Sequence, residues 1–451
     1  MQTSRRGASA SKPFALMLLL AAAAPASAQS LVELYQSARS YDAVYQGARA
    51  QYDAGVARAA QARAGVLPVI NLTAGASFTE QDVSAGNAAF TRGVSSRNIG
   101  INLIQPLYRP AAWAAYEQGK RQEEIARTQL TLAEQDLIVR VSQAYFDVLA
   151  SHDTLALVRA QKAAVAEQLA FAKRNFEVGT STITDAREAQ ARYDLAVAQE
   201  LAADNDLRVK RVTLDQFVGR VGVEPKGLAQ PVALPALPSN NVDTWVATAD
   251  DQHPAVRRAR LGLEVAQLDT QIARAGEKPT LDANATLGGQ NLHTSPAAVA
   301  AAQGGSGTTK NASVGLTLTY PLYTGGLTQN RIKETLVLEE KARNDLDFAR
   351  RAVAEATRRA FFGVQSLKAQ VAAYEAAESS TKLALEATQL GYKVGVRVNL
   401  DVLNAQTQLY STQRDLAKAR YDVVVNSLKL RQASGQLRAE DVIGVNTLLA
   451  K

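Results

Sequence analysis

Two hydrophobic periods alternate along this chain. Ile70, Leu72, Ala74, Ala76 and Phe78 take every second position, with Asn71, Thr73, Gly75 and Ser77 between them. Ala312, Val314, Leu316, Leu318 and Tyr320 alternate in the same way with Asn311, Ser313, Gly315, Thr317 and Thr319. A period of two places each set on its own face of a strand. Elsewhere the spacing is three and four. Leu137, Val141, Ala144, Val148, Leu155, Val158, Val165, Leu169, Ala172 and Phe176 form a heptad seam, interrupted at Ser151 and Lys162, and such a seam predicts a helix packed along its length.

The two periods predict helices at about 31–66, 110–177 and 183–219, with strands near 68–80 and 97–108. A second set follows, with helices near 245–277, 328–393 and 400–434 and strands near 279–291 and 310–323. Gly-, Ser- and Ala-rich stretches at 81–96 and 292–309 read as loops between the strands. A helix of about 67 residues is about 100 Å long at 1.5 Å per residue. That exceeds an ordinary globule, and the shorter helices, stacked end to end, have the length to flank it.

The two sets are copies. Residues 141–219 align without a gap onto 357–435, and 17 of these 79 positions are identical. Chance in Ala-rich sequence gives roughly a third of that, so the chain is an internal duplication. The expected organisation is a first repeat over 29–222, a Pro-rich linker over 223–244, a second repeat over 245–435 and a tail over 436–451.

The first 28 residues change where the chain is expected to work. Arg5, Arg6 and Lys12 precede the apolar run from Phe14 to Ala24, and Ala26-Ser27-Ala28 follows as a cleavage site. This is the pattern of a secretory signal peptide. Its removal lowers the formal charge from +7 to 47 − 43 = +4, and no dense basic run with interleaved aromatics argues for nucleic acid. Cysteine is absent, which excludes disulfides, thiolate metal sites and a lipid-bearing cysteine. No later run approaches 18 apolar residues, so any membrane crossing is by strands.

Strands with one apolar face and one uncharged polar face suit a barrel that holds water inside and meets lipid outside. Four strands do not close a barrel, and open edges are not tolerated in lipid. Several chains are therefore expected to share one sheet. The alternative from periodicity alone is a periplasmic coiled-coil adaptor or structural rod capped by two hairpins.

Specific motifs sit at the strand ends and helix turns: Gln105-Pro-Leu-Tyr108, Tyr320-Pro-Leu-Tyr-Thr-Gly-Gly326, Asn175-Phe-Glu-Val-Gly179 with Ile183-Thr-Asp185, and Gly391-Tyr-Lys-Val-Gly-Val-Arg397 with Leu400-Asp-Val-Leu403. With these motifs the chain resembles the TolC family of outer-membrane exit ducts over nearly all of its mature length. The resemblance implies a mainly α fold with a small transmembrane β part. Three chains would form a 12-stranded barrel continued by a long α-helical coiled-coil tunnel through the periplasm. It also implies an outer-membrane location, type I protein secretion or multidrug efflux as the task, and no cofactor. The implied partners are two further copies, a periplasmic adaptor, an inner-membrane ABC or RND-type transporter and outer-membrane lipid.

The resemblance also implies roles for particular residues. Tyr392 with Asp185, and Arg397 with Thr184, would lock the tunnel's periplasmic end shut. The family's acidic constriction maps onto Asp401 and position 404; the latter is Asn404, so a cation preference weaker than with two acidic rings is expected. Asp185 and Asp401 also suit the first turn of a helix, with Asn399 as a cap, and both roles can coexist. The tips Val178, Gly179, Thr180 and Val394, Gly395, Val396 would meet the adaptor, although tight reversal alone accounts for the glycines. Catalysis has little support: His152, His253 and His293 show no metal-ligand spacing or nucleophile pairing, and His253-Pro254 reads as a helix start.

Overall fold

The computed structural model describes residues 29–85, 88–229, 231–232, 234–295, 297 and 305–450. The expected signal peptide lies outside them. The first half runs α1 (Leu31–Tyr41), α2 (Ala43–Ala64), β1 (Val69–Ala85), β2 (Ala88–Tyr108), α3 (Pro110–Glu177) and α4 (Ile183–Val218). The second runs α5 (Val242–Gln252), α6 (Pro254–Ala275), β3 (Thr280–Ser295), β4 (Gly307–Thr319), α7 (Leu327–Lys393) and α8 (Asn399–Ala433), and then α9 (Ala439–Asn446) closes the chain.

The long helices α3 and α7 span 68 and 67 residues. Along α3, α2 packs on the strand side and α4 on the side of the turn. Most of the seam is buried as the heptads require, but Val158 is half-buried and Phe176 is 42% exposed near the turn. Polar breaks in the seam are matched across the hairpins. Ser151 donates to Asp206 (2.6 Å), Lys162 pairs with Glu200, and in the second copy Gln413 donates to Glu378 (2.9 Å).

Both short helical arms are split: the first was expected as one continuous helix, and in the second, expected over 245–277, the break falls at His253-Pro254, where the sequence reads as a helix start. Asp42 stands outside helical geometry, accepts from the Tyr45 N–H (2.7 Å) and pairs with Arg140 (2.9 Å), so it caps α2 and ends α1. At the second break Pro254 fixes the start of α6, and Nδ1 of His253 accepts from the Ala255 N–H (3.1 Å).

The sheet order is β1-β2-β3-β4, antiparallel throughout. The strands overrun the expected loops: 81–85 pair with 88–92, 93–96 with 77–80, and 291–292 with 307–308. Cross-strand side chains account for this, since Arg92 donates to Gln81 (2.7 Å) and Thr91 to Asp82 (2.6 Å). Small residues with weak strand propensity hid the extension. β4 stops at Thr319, so Tyr320-Pro-Leu-Tyr323 lies beyond it. Pro106 remains in β2 where the pairing register shifts.

The main core lies midway along the rod. Leu31 and Leu34 of α1, Leu137, Tyr145 and Phe146 of α3, Leu214 of α4, Leu428 of α8 and Val442 of α9 meet there with the linker. The Tyr145 hydroxyl reaches the Lys226 carbonyl (2.8 Å), and burial raises its pKa. Linker and tail join at an antiparallel bridge between Leu228 and Leu449. The segment expected as a plain tail thus contributes a helix to the core.

Candidate functional site

Each hairpin ends in the same backbone turn. Gly179 has φ of 76° and Gly395 of 82°, and the next residue donates back to the helix, Thr180 to the Asn175 carbonyl (2.8 Å) and Val396 to the Gly391 carbonyl (2.9 Å). This closure needs a left-handed residue, which only glycine adopts without strain. Val178, Val394 and Val396 are 71%, 65% and 75% exposed, and Gly179, Thr180 and Gly395 are exposed beside them. Three valines held out in water make both tips apolar.

Beyond the turns the copies differ. Thr182 caps α4: its hydroxyl accepts from the Asp185 N–H (3.2 Å), and the Asp185 carboxylate accepts from the Thr182 N–H (3.0 Å) and hydroxyl (2.8 Å). The matching residue at α8 is Val398, which has no hydroxyl. Among the described residues the Asp401 carboxylate therefore keeps the longer bond from the Val398 N–H (3.5 Å) and takes Arg397 as an ion-pair partner (3.6 Å). Asn399 is not the cap; it is the first residue of α8.

Within one chain three of the four residues expected to form the lock have other partners: Asp185 has Thr182, Arg397 has Asp401 and Tyr392 has Phe171. Tyr392 lies edge-on to Phe171 of α3, centroids 5.9 Å apart, so the second hairpin reaches the first through that ring. Thr184 is exposed. Among the described residues no hydrogen bond joins Tyr392 to Asp185 or Arg397 to Thr184. Asn404 is exposed, and its side-chain oxygen accepts from Arg192 of α4 (3.0 Å).

Near the tips Asn399, only 2% exposed, also ties the hairpins together. Gln168 of α3 donates to its oxygen, and its amide donates to the Asp185 carbonyl (3.5 Å). Beside it Leu403 of α8 packs on Val165, Leu169 and Ala172 of α3 and Ala189 of α4. Sequence reasoning missed this role. The available signal was that Asn399 stands opposite Ile183 in the repeat, a polar residue where the other copy is apolar.

At the other end of the rod the sheet has two distinct faces. Register puts Ile70, Leu103, Ala285 and Val314 in one row and Leu72, Ile101, Leu287 and Ala312 in the next, all on one side. Ile70, Leu72, Leu287 and Val314 are 62–87% exposed. The opposite face is polar, with Ser77 bonded to Ser96 (2.9 Å), Asn284 to Thr317 (2.7 Å) and Thr286 to Asn102 (3.4 Å). At the strand-to-helix passage Arg109 makes a two-bond pair with Asp282 (2.8 and 2.7 Å), which the sequence did not announce. No helix among the described residues is long and apolar enough to cross a membrane.

Known proteins share this arrangement. The chain is 34% identical to outer membrane protein TolC of Vibrio cholerae, over 93% of each chain. It is 31% identical to the alkaline protease secretion protein AprF of Pseudomonas aeruginosa, over 92% of this chain and 86% of that one. The crystal structure of outer membrane protein VceC from Vibrio cholerae superimposes with a TM-score of 0.74 at 19% identity, covering 90% of this chain and 96% of that one. The family described as outer membrane efflux protein matches residues 34–220 and 245–436. With two matched stretches that take in both hairpins and all four strands, the chain belongs to the outer membrane efflux protein family.

Proposed function

We propose that three copies of this chain assemble into one passive exit duct in the outer membrane, opened at its periplasmic tip when an adaptor and an inner-membrane transporter dock. One observation carries the reading: a four-stranded sheet with an apolar and a polar face, edged by β1 and β4, stands at the end of a helical rod. An edge strand in lipid leaves its backbone groups unpaired, at several kcal/mol for each group. Pairing β1 of one copy with β4 of the next removes both edges at once. Three copies give twelve strands, with the polar face around water.

The tips fit the docking end. Their valines offer an apolar surface to the hairpin of an adaptor, and the bonds around Asp185, Tyr392, Arg397 and Thr184 are few enough for docking to rearrange. Asp401 from three copies would face a shared axis and attract cations. Likeness to TolC of Vibrio cholerae and to a protease secretion protein supports export of protein or small molecules. A periplasmic rod or adaptor is the weaker reading, because the chain carries the family's strands in both copies.

The test is the purified full-length protein. Trimers of heat-sensitive mobility in the outer-membrane fraction, with single-channel conductance in planar bilayers, are the expected result. Recovery as a soluble monomer without conductance overturns the proposal.

A further inference from the structure

The apolar face of the sheet ends in cations. Arg97 stands opposite Ala76 on β1 and Asn291 on β3, one row beyond Ile99, and Lys310 stands opposite Gly289 in the row of Ile99 itself. Directly opposed residues share a face, so both cations lie on the side of Leu72, Ile101 and Leu287 rather than on the polar side. Both are exposed, and neither has a hydrogen bond or ion pair among the described residues.

Their height is informative. From Leu318 to Lys310 is eight residues, about 26 Å along a strand, or about 20 Å of thickness at a tilt near 40°. Arg97, one row farther, lies about 25 Å from that lower edge, which is the height of a barrel's apolar band. The cations therefore stand where the band ends, on the side of the β1–β2 and β3–β4 connections and away from the helices. Phe78 in the next row supplies an aromatic of the kind found at this boundary. A cation on the lipid face is costly at mid-membrane and nearly free at the interface, where a phosphate offsets the remainder.

The surroundings favour an anion. Gly289 has no side chain and Asn291 is held by its bond to Thr308 (2.9 Å), so the space between Arg97 and Lys310 is open. His293 lies diagonally beside Arg97 on β3 and is exposed. The acids on this face, Glu80 and Asp82, belong to β1 four and six residues beyond Ala76, and Asp82 already accepts from Thr91 (2.6 Å). They lie roughly 13 Å or more from the pair at 3.3 Å per residue.

We propose that Arg97 and Lys310, with His293 beside them, form on each copy a site for a phosphate-bearing headgroup of the outer leaflet's lipid. The site rests on the apolar face being turned outward in a closed barrel, and it would anchor the barrel's height in the membrane. Guanidinium geometry suits two oxygens of one phosphate, and the ammonium adds a point charge.

The full-length trimer in detergent is titrated with bisphosphorylated lipid A and with the same lipid dephosphorylated, and binding is read by native mass spectrometry. The expected result is a preference of roughly tenfold or more for the phosphorylated lipid. The Arg97→Gln/Lys310→Gln variant loses that preference while its conductance is unchanged. Equal binding of both lipids, or a preference that survives the double substitution, overturns the site. Inorganic phosphate that displaces the lipid at equal concentration also overturns it, because the site is then one for free anions. Should the double variant fail to form trimers, Lys310→Gln alone carries the comparison. Conducting wild-type trimers with no lipid preference remove this inference alone, whereas absence of conducting trimers removes the duct.

Discussion

Asn399 shows how a single polar side chain reads once its neighbours are known. Its amide spans α3 and α4 from a buried position at the start of α8. Replacing it by Leu removes the bonds to Gln168 and to the Asp185 carbonyl, a loss of about 1 kcal/mol for each. Asn399→Leu is expected to loosen the contact between hairpins and raise basal conductance in planar bilayers; an unchanged closed-state current would show that Leu403 and its apolar neighbours hold the junction alone. Asp42 is the second informative residue. Burial disfavours its charge, but the hydrogen bond from Arg140 and the Tyr45 N–H outweigh that, and its pKa falls below the ordinary carboxylate value. Because the folded value is the lower one, the stabilisation is complete above about pH 3.9 and declines as pH drops further toward the folded value. Circular dichroism during acid titration should show Arg140→Ala unfolding at higher pH than the parent protein; coincident curves would remove the pair from the account.

At the scale of elements, the duplication holds in the backbone and departs in the side chains. Gly179 and Gly395 end the long helices in the same conformation, and Gly219 and Gly435 do so for the shorter ones at φ of 70° and 74°. Gly435 has a further reason: a Cβ there would stand 2.5 Å from the His253 Cα, where α5 gives way to α6. Gly435→Ala is expected to destabilise the core midway along the rod by about 1–3 kcal/mol or more, through both strain and overlap. Thermal unfolding should register it, and a melting temperature equal to that of the parent would contradict the close approach. The helix break at Asp42 was not legible in advance, because a capping residue inside a periodic stretch resembles a polar helical position until its partner, Arg140, is known; the one at His253 was legible, because the proline that follows it marks a helix start. The strand extensions past 80 were hidden for a different reason. Pairing was decided by Arg92 with Gln81 and Thr91 with Asp82, contacts between residues of ordinary loop composition.

For the whole molecule, the proposed gate and filter would depend on copies meeting. If Tyr392 and Arg397 lock the closed duct, Tyr392→Phe combined with Arg397→Ser should raise basal leak several-fold, since each lost bond contributes about 1 kcal/mol. Folded trimers with unaltered conductance would count against the lock. If Asp401 lines the constriction, Asp401→Asn should reduce cation over anion permeability, read as a shift of reversal potential under a salt gradient; an unmoved potential would place the carboxylate elsewhere, beside Arg397 as the ion pair already has it. The sequence by itself determined the two periods, the copy number, the tight turns and the faces of the strands, because each follows from spacing within one element or from the match between copies. The tertiary structure decided the helix break at Asp42, where pairing ends and what the polar residues of the tips touch. It put Asn399 rather than Tyr392 in the hydrogen bonds between the hairpins and set Arg97 and Lys310 at one end of the apolar face. Those outcomes depend on partners distant along the chain, and neither spacing nor composition specifies which distant residue a side chain will meet.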